Sequence, residues 1–154
     1  MPTKGETSMS DIMDVWLHAH NMLRSARQII NNNLRPLGLS SAEGNILLHL
    51  LSQGKEMGQE QLVDQLDVSK PAISRTLNSL VTKGFVSIQQ DPDDKRAHRI
   101  RLTGKALEIG PLVEQVYNRI YTVALRGITP EEFEYFVNLF SRMSENFVHE
   151  QEKS

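Results

Sequence analysis

Val68-Ser-Lys-Pro-Ala-Ile-Ser-Arg-Thr-Leu-Asn-Ser-Leu-Val-Thr-Lys-Gly84 followed by Phe85-Val-Ser-Ile-Gln-Gln-Asp-Pro-Asp-Asp-Lys-Arg-Ala-His-Arg-Ile-Arg-Leu-Thr103 is the stretch that decides the fold. In its first half Ile73, Leu77, Leu80 and Val81 recur at helical spacing and predict one core-facing stripe. Ser69 is the expected N-cap, Pro71 is tolerated in the first turn, and Gly84 stops the helix. From Phe85 the period changes to two. Val86 and Ile88 alternate with Ser87 and Gln89, and His98, Ile100 and Leu102 alternate with Ala97, Arg99 and Arg101. That pattern predicts a hairpin whose Asp91-Pro-Asp-Asp-Lys-Arg96 connection has turn chemistry and two cations at its far end.

The helix arc opposite the apolar stripe carries Pro71, Ser74, Arg75, Asn78, Ser79 and Thr82 and no carboxylate. Short hydrogen-bonding groups suit base edges in a major groove, and the lack of negative charge suits neighbouring phosphates. Charge points the same way. Val68 to Lys105 holds eight cations and three anions, net +5, in a chain of net -2, which leaves -7 for the rest. A basic segment inside an acidic protein is the electrostatic footprint of a nucleic-acid face.

Asp94-Lys-Arg-Ala-His-Arg-Ile-Arg-Leu-Thr103 resembles the wing signature of the MarR family of bacterial transcriptional regulators, an Asp-x-Arg followed by a hydrophobic strand ending in Leu-Thr. Leu80, Gly84 and Asp91-Pro92 fit the same pattern at the same spacing. The resemblance implies a mainly α fold with a small β wing: a winged helix-turn-helix flanked by N- and C-terminal dimerisation helices. It implies that Ser69, Lys70, Pro71, Ser74, Arg75, Asn78 and Ser79 supply recognition-helix contacts to double-stranded DNA. Lys95, Arg96 and Arg99 serve the wing, with Arg96 reaching a minor groove and Asp94 holding cationic side chains in position. Ser87-Ile88 departs from the pattern, standing where the family often has a Glu-Arg pair, so one phosphate contact or salt bridge is expected to be missing.

The expected organisation is a loose polar arm over 1-10, a dimerisation helix within 11-38, the DNA-binding lobe over 39-103 and dimerisation helices over 104-154. Ser10 or Asp11 is the expected cap of the first helix, and Ser40 with Glu43 forms a capping box for the second. Gln59 to Leu66 opens the helix-turn-helix, and Thr103 caps a long helix that Pro111 should bend. Thr129-Pro-Glu-Glu132 starts a last helix carrying Phe133, Phe136, Val137, Phe140, Met143 and Phe147 on one stripe. The apolar stripes at the two ends of the chain exceed what a small wing lobe can cover and predict a homodimer. Two-fold symmetry then spaces the two helices about 34–36 Å apart and predicts a pseudo-palindromic operator.

The sequence has no Cys, which excludes disulfides and thiolate metal sites and fits a reducing cytoplasm. It has no apolar run of membrane-spanning length, and no nucleophile elbow, phosphate-binding glycine loop or His-Glu-x-x-His, so neither an enzyme nor a metal site is expected. The resemblance implies a repressor released by a small aromatic or phenolic effector, for which Trp16, His20, Met22 and His49 are the candidate pocket residues. The competing reading is a winged-helix protein-interaction module that does not bind DNA.

Overall fold

The computed structural model describes Gly5 and residues 7–154, and half of the expected N-terminal arm, residues 1–4 and 6, lies outside the described residues. The described elements run α1 (Met9–Leu34), a 3-10 turn (Arg35–Leu37), α2 (Ser41–Ser52), β1 (Glu56–Gly58), α3 (Gln59–Leu66), α4 (Lys70–Thr82), β2 (Val86–Gln90), β3 (His98–Leu102), α5 (Gly104–Ala124) and α6 (Pro130–Glu152). The winged helix-turn-helix is therefore present as α2 to β3. Chain contacts divide the molecule into a unit ending at Asn118 and a unit beginning at Arg119, with the boundary inside α5. Among the described residues no helix is long and apolar enough to cross a membrane.

Helix ends follow the capping chemistry of the sequence, with one displacement. Ser8, not Ser10 or Asp11, caps α1: its hydroxyl accepts from the Asp11 N–H, and the Asp11 carboxylate takes the Ser8 N–H in return. Asp11 is the N3 partner of that box, so the helix claims Met9 and Ser10 from the expected arm. The Ser40/Glu43 and Thr129/Glu132 boxes form as expected. Pro111 lies inside α5 without ending it. At the end of α4, Gly84 adopts φ +80, so the Gly84 N–H reaches Val81 O and the Phe85 N–H reaches Leu80 O, at 3.0 and 2.9 Å. This left-handed closure satisfies carbonyls the helix would leave open and turns the chain into β2.

The sheet has three antiparallel strands in the order β1-β3-β2, one more than the hairpin that periodicity reveals. Glu56–Gly58 is too short for a period-two signal, and it is β3 that recruits it by pairing Met57 with Ile100. Ile100 thus lies between Met57 and Ile88 and is fully buried. The core it joins includes Leu34, Ile46, Leu47, Leu50, Leu62, Ile73, Leu77 and Leu80. Ile88 packs against that core, so the residue replacing the expected charged partner seats the wing rather than reaching outward. Val81, expected in the stripe, is 43% exposed, because the core-facing arc of α4 is centred on Ile73, Leu77 and Leu80.

Candidate nucleic-acid interface

The turn between α3 and α4 is tight because Asp67 takes a left-handed conformation, φ +49, which Asp tolerates better than most residues with a Cβ. Ser69 then caps α4 by accepting the Ala72 N–H, and Pro71 occupies the first turn. With Ile73, Leu77 and Leu80 in the core, Pro71, Arg75, Asn78 and Thr82 are left on the exposed arc. The side chains of Arg75 and Asn78 make no hydrogen bond or ion pair with the other described residues, whereas Thr82 bonds back to Asn78 O.

The two serines flanking that arc are occupied. Ser74 accepts from Gln59 Nε2 at 3.2 Å, tying α4 to α3. Ser79 donates to Glu43 Oε2 at 3.2 Å, tying α4 to α2. Glu43 also accepts the Ser40 N–H at 3.0 Å and Lys83 Nζ at 2.8 Å. Burial pushes this carboxyl up, but the Lys83 hydrogen bond and the Ser40 N–H and hydroxyl contacts together outweigh it and hold Glu43 below the usual glutamate range. A buried carboxylate is tolerable only with such partners.

At the wing, Asp91 Oδ1 accepts the Asp93 N–H and Asp94 Oδ1 accepts the Arg96 N–H. The Asp94 carboxylate therefore fixes the backbone of the turn, where the resemblance implied a grip on cationic side chains. The Lys95 and Arg96 side chains are exposed and unpartnered among the described residues. Arg99 is differently placed. Its guanidinium lies 2.7 Å from Glu56 Oε1, while Arg101 lies 2.9 Å from Glu56 Oε2. The Arg99 and Arg101 hydrogen bonds hold Glu56 below its ordinary value. Lys70 pairs with Glu60 at 2.7 Å, with both side chains mostly exposed.

Glu43, Glu56 and Glu60 all lie outside the basic segment, so sequence counting missed their effect. They partner Lys83, Arg99 with Arg101, and Lys70, while Lys105 donates to Lys83 O and sits over the Phe85 ring. Of the eight cations, Arg75, Lys95 and Arg96 remain without partners among the described residues. These three put unpartnered cationic side chains on α4 and at the wing tip.

The four residues expected to line an effector pocket lie on two helices, α1 and α2. Trp16, His20 and Met22 are exposed on α1, and 100° per residue puts Met22 away from the face shared by Trp16 and His20. His49 lies on α2, 2.5 Å from Gln65 Oε1. Among the described residues no cluster of His and carboxylates could hold a metal.

The MarR family model matches residues 37–97, from the end of the 3-10 turn to the wing tip. A crystal structure of MarR shares 30% identity at a TM-score of 0.70, covering 88% of this chain and 98% of its own. The chain belongs to the MarR family. Members of the MarR family are transcriptional regulators, and further solved members share its fold at lower identity. A mutant MarR from E. coli complexed with operator DNA is 22% identical with a TM-score of 0.76, over 90% of this chain and 99% of its own. An organohalide-sensing transcriptional regulator in its 2,4-dichlorophenol-bound form is 22% identical with a TM-score of 0.78, over 95% and 86%. In MarR-family terms, α3 and α4 form the helix-turn-helix and Asp91 to Ala97 is the wing loop.

Proposed function

We propose that this MarR-family chain is a sequence-specific double-stranded-DNA-binding regulator that acts as a homodimer on a pseudo-palindromic operator and represses by occluding a promoter. The observation that carries the reading is the exposed arc of α4, with Arg75 and Asn78 unpartnered, in the same lobe as the free Lys95 and Arg96 of the wing tip. Arg75 and Asn78 have the reach and donor pattern for base edges, Asn bidentate to adenine and Arg to guanine. Lys95 and Arg96 serve phosphates or a narrow minor groove. Ser69, Lys70 and Pro71 bring the positive end of α4 to the backbone, and the exposed Lys70–Glu60 pair exchanges readily for a phosphate. Ser74, Ser79 and Arg99 keep their intramolecular partners and hold the contacting elements in place.

Dimerisation is supported by apolar surface. Ile12, Val15, Trp16, Met22 and Leu23 on α1 are between 46% and 61% exposed, and the Phe133, Phe136, Val137, Phe140, Met143 and Phe147 stripe of α6 is between 40% and 54% exposed. Helices this long and apolar seldom stay bare in water. The operator complex of the E. coli mutant MarR supports a DNA partner, and the dichlorophenol-bound regulator supports release by a small aromatic effector.

Titration of duplex fragments from the neighbourhood of its own coding sequence, at two salt concentrations, tests the reading. Expected is a saturable complex with one preferred fragment, its affinity falling steeply as salt rises. Salt-independent binding, or none to any duplex, would leave the protein-interaction alternative in its place.

A further inference from the structure

A cavity of about 550 Å3 opens beside the end of α1, walled by Gln28, Asn31, Asn32 and Arg35 on one side and by Ser40, Glu43 and Lys83 on the other. Its volume is within the range of about 300–1,000 Å3 usual for small-molecule sites. Its chemistry is not that of an apolar slot. The lining has no aromatic side chain and one aliphatic side chain, Leu39, which is itself buried.

What the cavity offers is unspent donors. The Arg35 guanidinium and the Asn32 and Gln28 amides make no hydrogen bond with other described residues. Asn31 spends its carbonyl oxygen on the Ser41 N–H, leaving its amide N–H groups. Lys83 has three N–H donors and uses one on Glu43 and one on Gly38 O, each at 2.8 Å, so one remains. Two cations face one carboxylate, and that carboxylate already accepts three hydrogen bonds. A ligand complementary to this wall carries negative charge for Arg35 and Lys83 and several hydroxyls for the amides.

We propose that this cavity binds a small hydroxylated anion, a sugar phosphate or sugar acid, and that occupancy is transmitted to α4 through Lys83. Lys83 is the C-cap of α4, and its ammonium is shared between the α2 carboxylate and the loop carbonyl at Gly38. An anion bound at Arg35 and Lys83 competes with Glu43 for that ammonium and shifts the end of α4 relative to α2. Binding in the cavity stands by itself, whereas the link to α4 rests on the DNA-binding reading above.

Calorimetric titration of the full chain at constant ionic strength tests the site with glucose 6-phosphate, gluconate and inorganic phosphate, with salicylate as a flat lipophilic contrast. Expected is saturable binding of glucose 6-phosphate or gluconate, whichever anionic group the site prefers. Arg35→Ala should weaken it about tenfold or more and Asn32→Ala should weaken it by a smaller factor, while Arg96→Ala leaves it unchanged. Silence from both hydroxylated anions, equal affinity in Arg35→Ala, equal binding of inorganic phosphate, or tighter Arg35-dependent binding of salicylate overturns the proposal. Duplex titration with saturating ligand should then shift DNA affinity at least about threefold in the wild type and not in Arg35→Ala. Duplex binding with an unresponsive cavity sinks this inference alone. Ligand binding without duplex binding sinks the DNA-binding reading and leaves the site, and both without coupling remove the link to α4.

Discussion

Lys83 Nζ lies 2.8 Å from Glu43 Oε1, joining the C-terminal cap of α4 to the first turn of α2. The pair is asymmetric: the Glu43 side chain is 6% exposed and that of Lys83 is 39% exposed. Removing the exposed partner leaves the buried one facing the loss. Lys83→Met removes the ammonium partner of Glu43 but leaves its Ser40 and Ser79 hydrogen bonds, and should destabilise the fold by about 1.5–3 kcal/mol at neutral pH, the range for a hydrogen bond to a charged group. Urea midpoints at constant slope would show it.

The same pair sets a pH dependence. Glu43 is held below its ordinary value of 4.5, so near that pH the unfolded chain binds more protons and stability rises with pH. The contribution is complete above the unfolded value and is lost as pH falls through the lower folded one. The stability difference between the wild type and Lys83→Met should therefore shrink below about pH 4.5. A difference that stays constant from neutral to acid would contradict the assignment.

Gly44 is set by packing. A Cβ there would stand 2.4 Å from Leu34 Cδ1 and 2.9 Å from Tyr117 Oη, the hydroxyl that donates to Asn45. Alanine gains about 1 kcal/mol of helix propensity over glycine, but overpacking costs about 1–3 kcal/mol. Gly44→Ala should thus be neutral to destabilising, and Gly110→Ala, whose Cβ meets nothing nearer than a Leu51 terminal methyl at 3.0 Å, should be milder. Thermal denaturation of the two variants side by side decides the order.

Arg96→Ala should weaken binding to all duplexes by a similar factor and lower the slope of log affinity against log salt by about one, since one phosphate-directed cation is removed. An unchanged slope would detach Arg96 from the interface.

Asn78→Ala should act differently. Losing a base-edge contact costs about 1–3 kcal/mol at one operator position and little elsewhere. Competition among single-base operator variants would reveal a flattened preference at that position, and a uniform loss would reassign Asn78 to the backbone.

On α6, Phe136 and Phe140 stack with ring centroids 5.6 Å apart, each about half exposed. Phe136→Glu combined with Phe140→Glu should raise the dimer dissociation constant by about two orders of magnitude or more, as loss of buried aromatic anchors does. Sedimentation equilibrium of wild type and variant reads this directly, and unchanged mass would exclude the stripe from the interface.

The sequence by itself determined the elements whose signals are local. Spacing of Ile73, Leu77 and Leu80 gave α4, alternation gave β2 and β3, and two capping boxes and Gly84 gave helix ends, because each depends on residues within a turn or two. Tertiary structure decided what depends on partners distant along the chain. Glu56–Gly58 became a strand because β3 offered an edge, and Glu43 became a buried anchor because α4 brought Ser79 and Lys83 to it. The division of the basic segment into paired and free cations followed from the same cause: charge is counted along the chain, but it is neutralised across space.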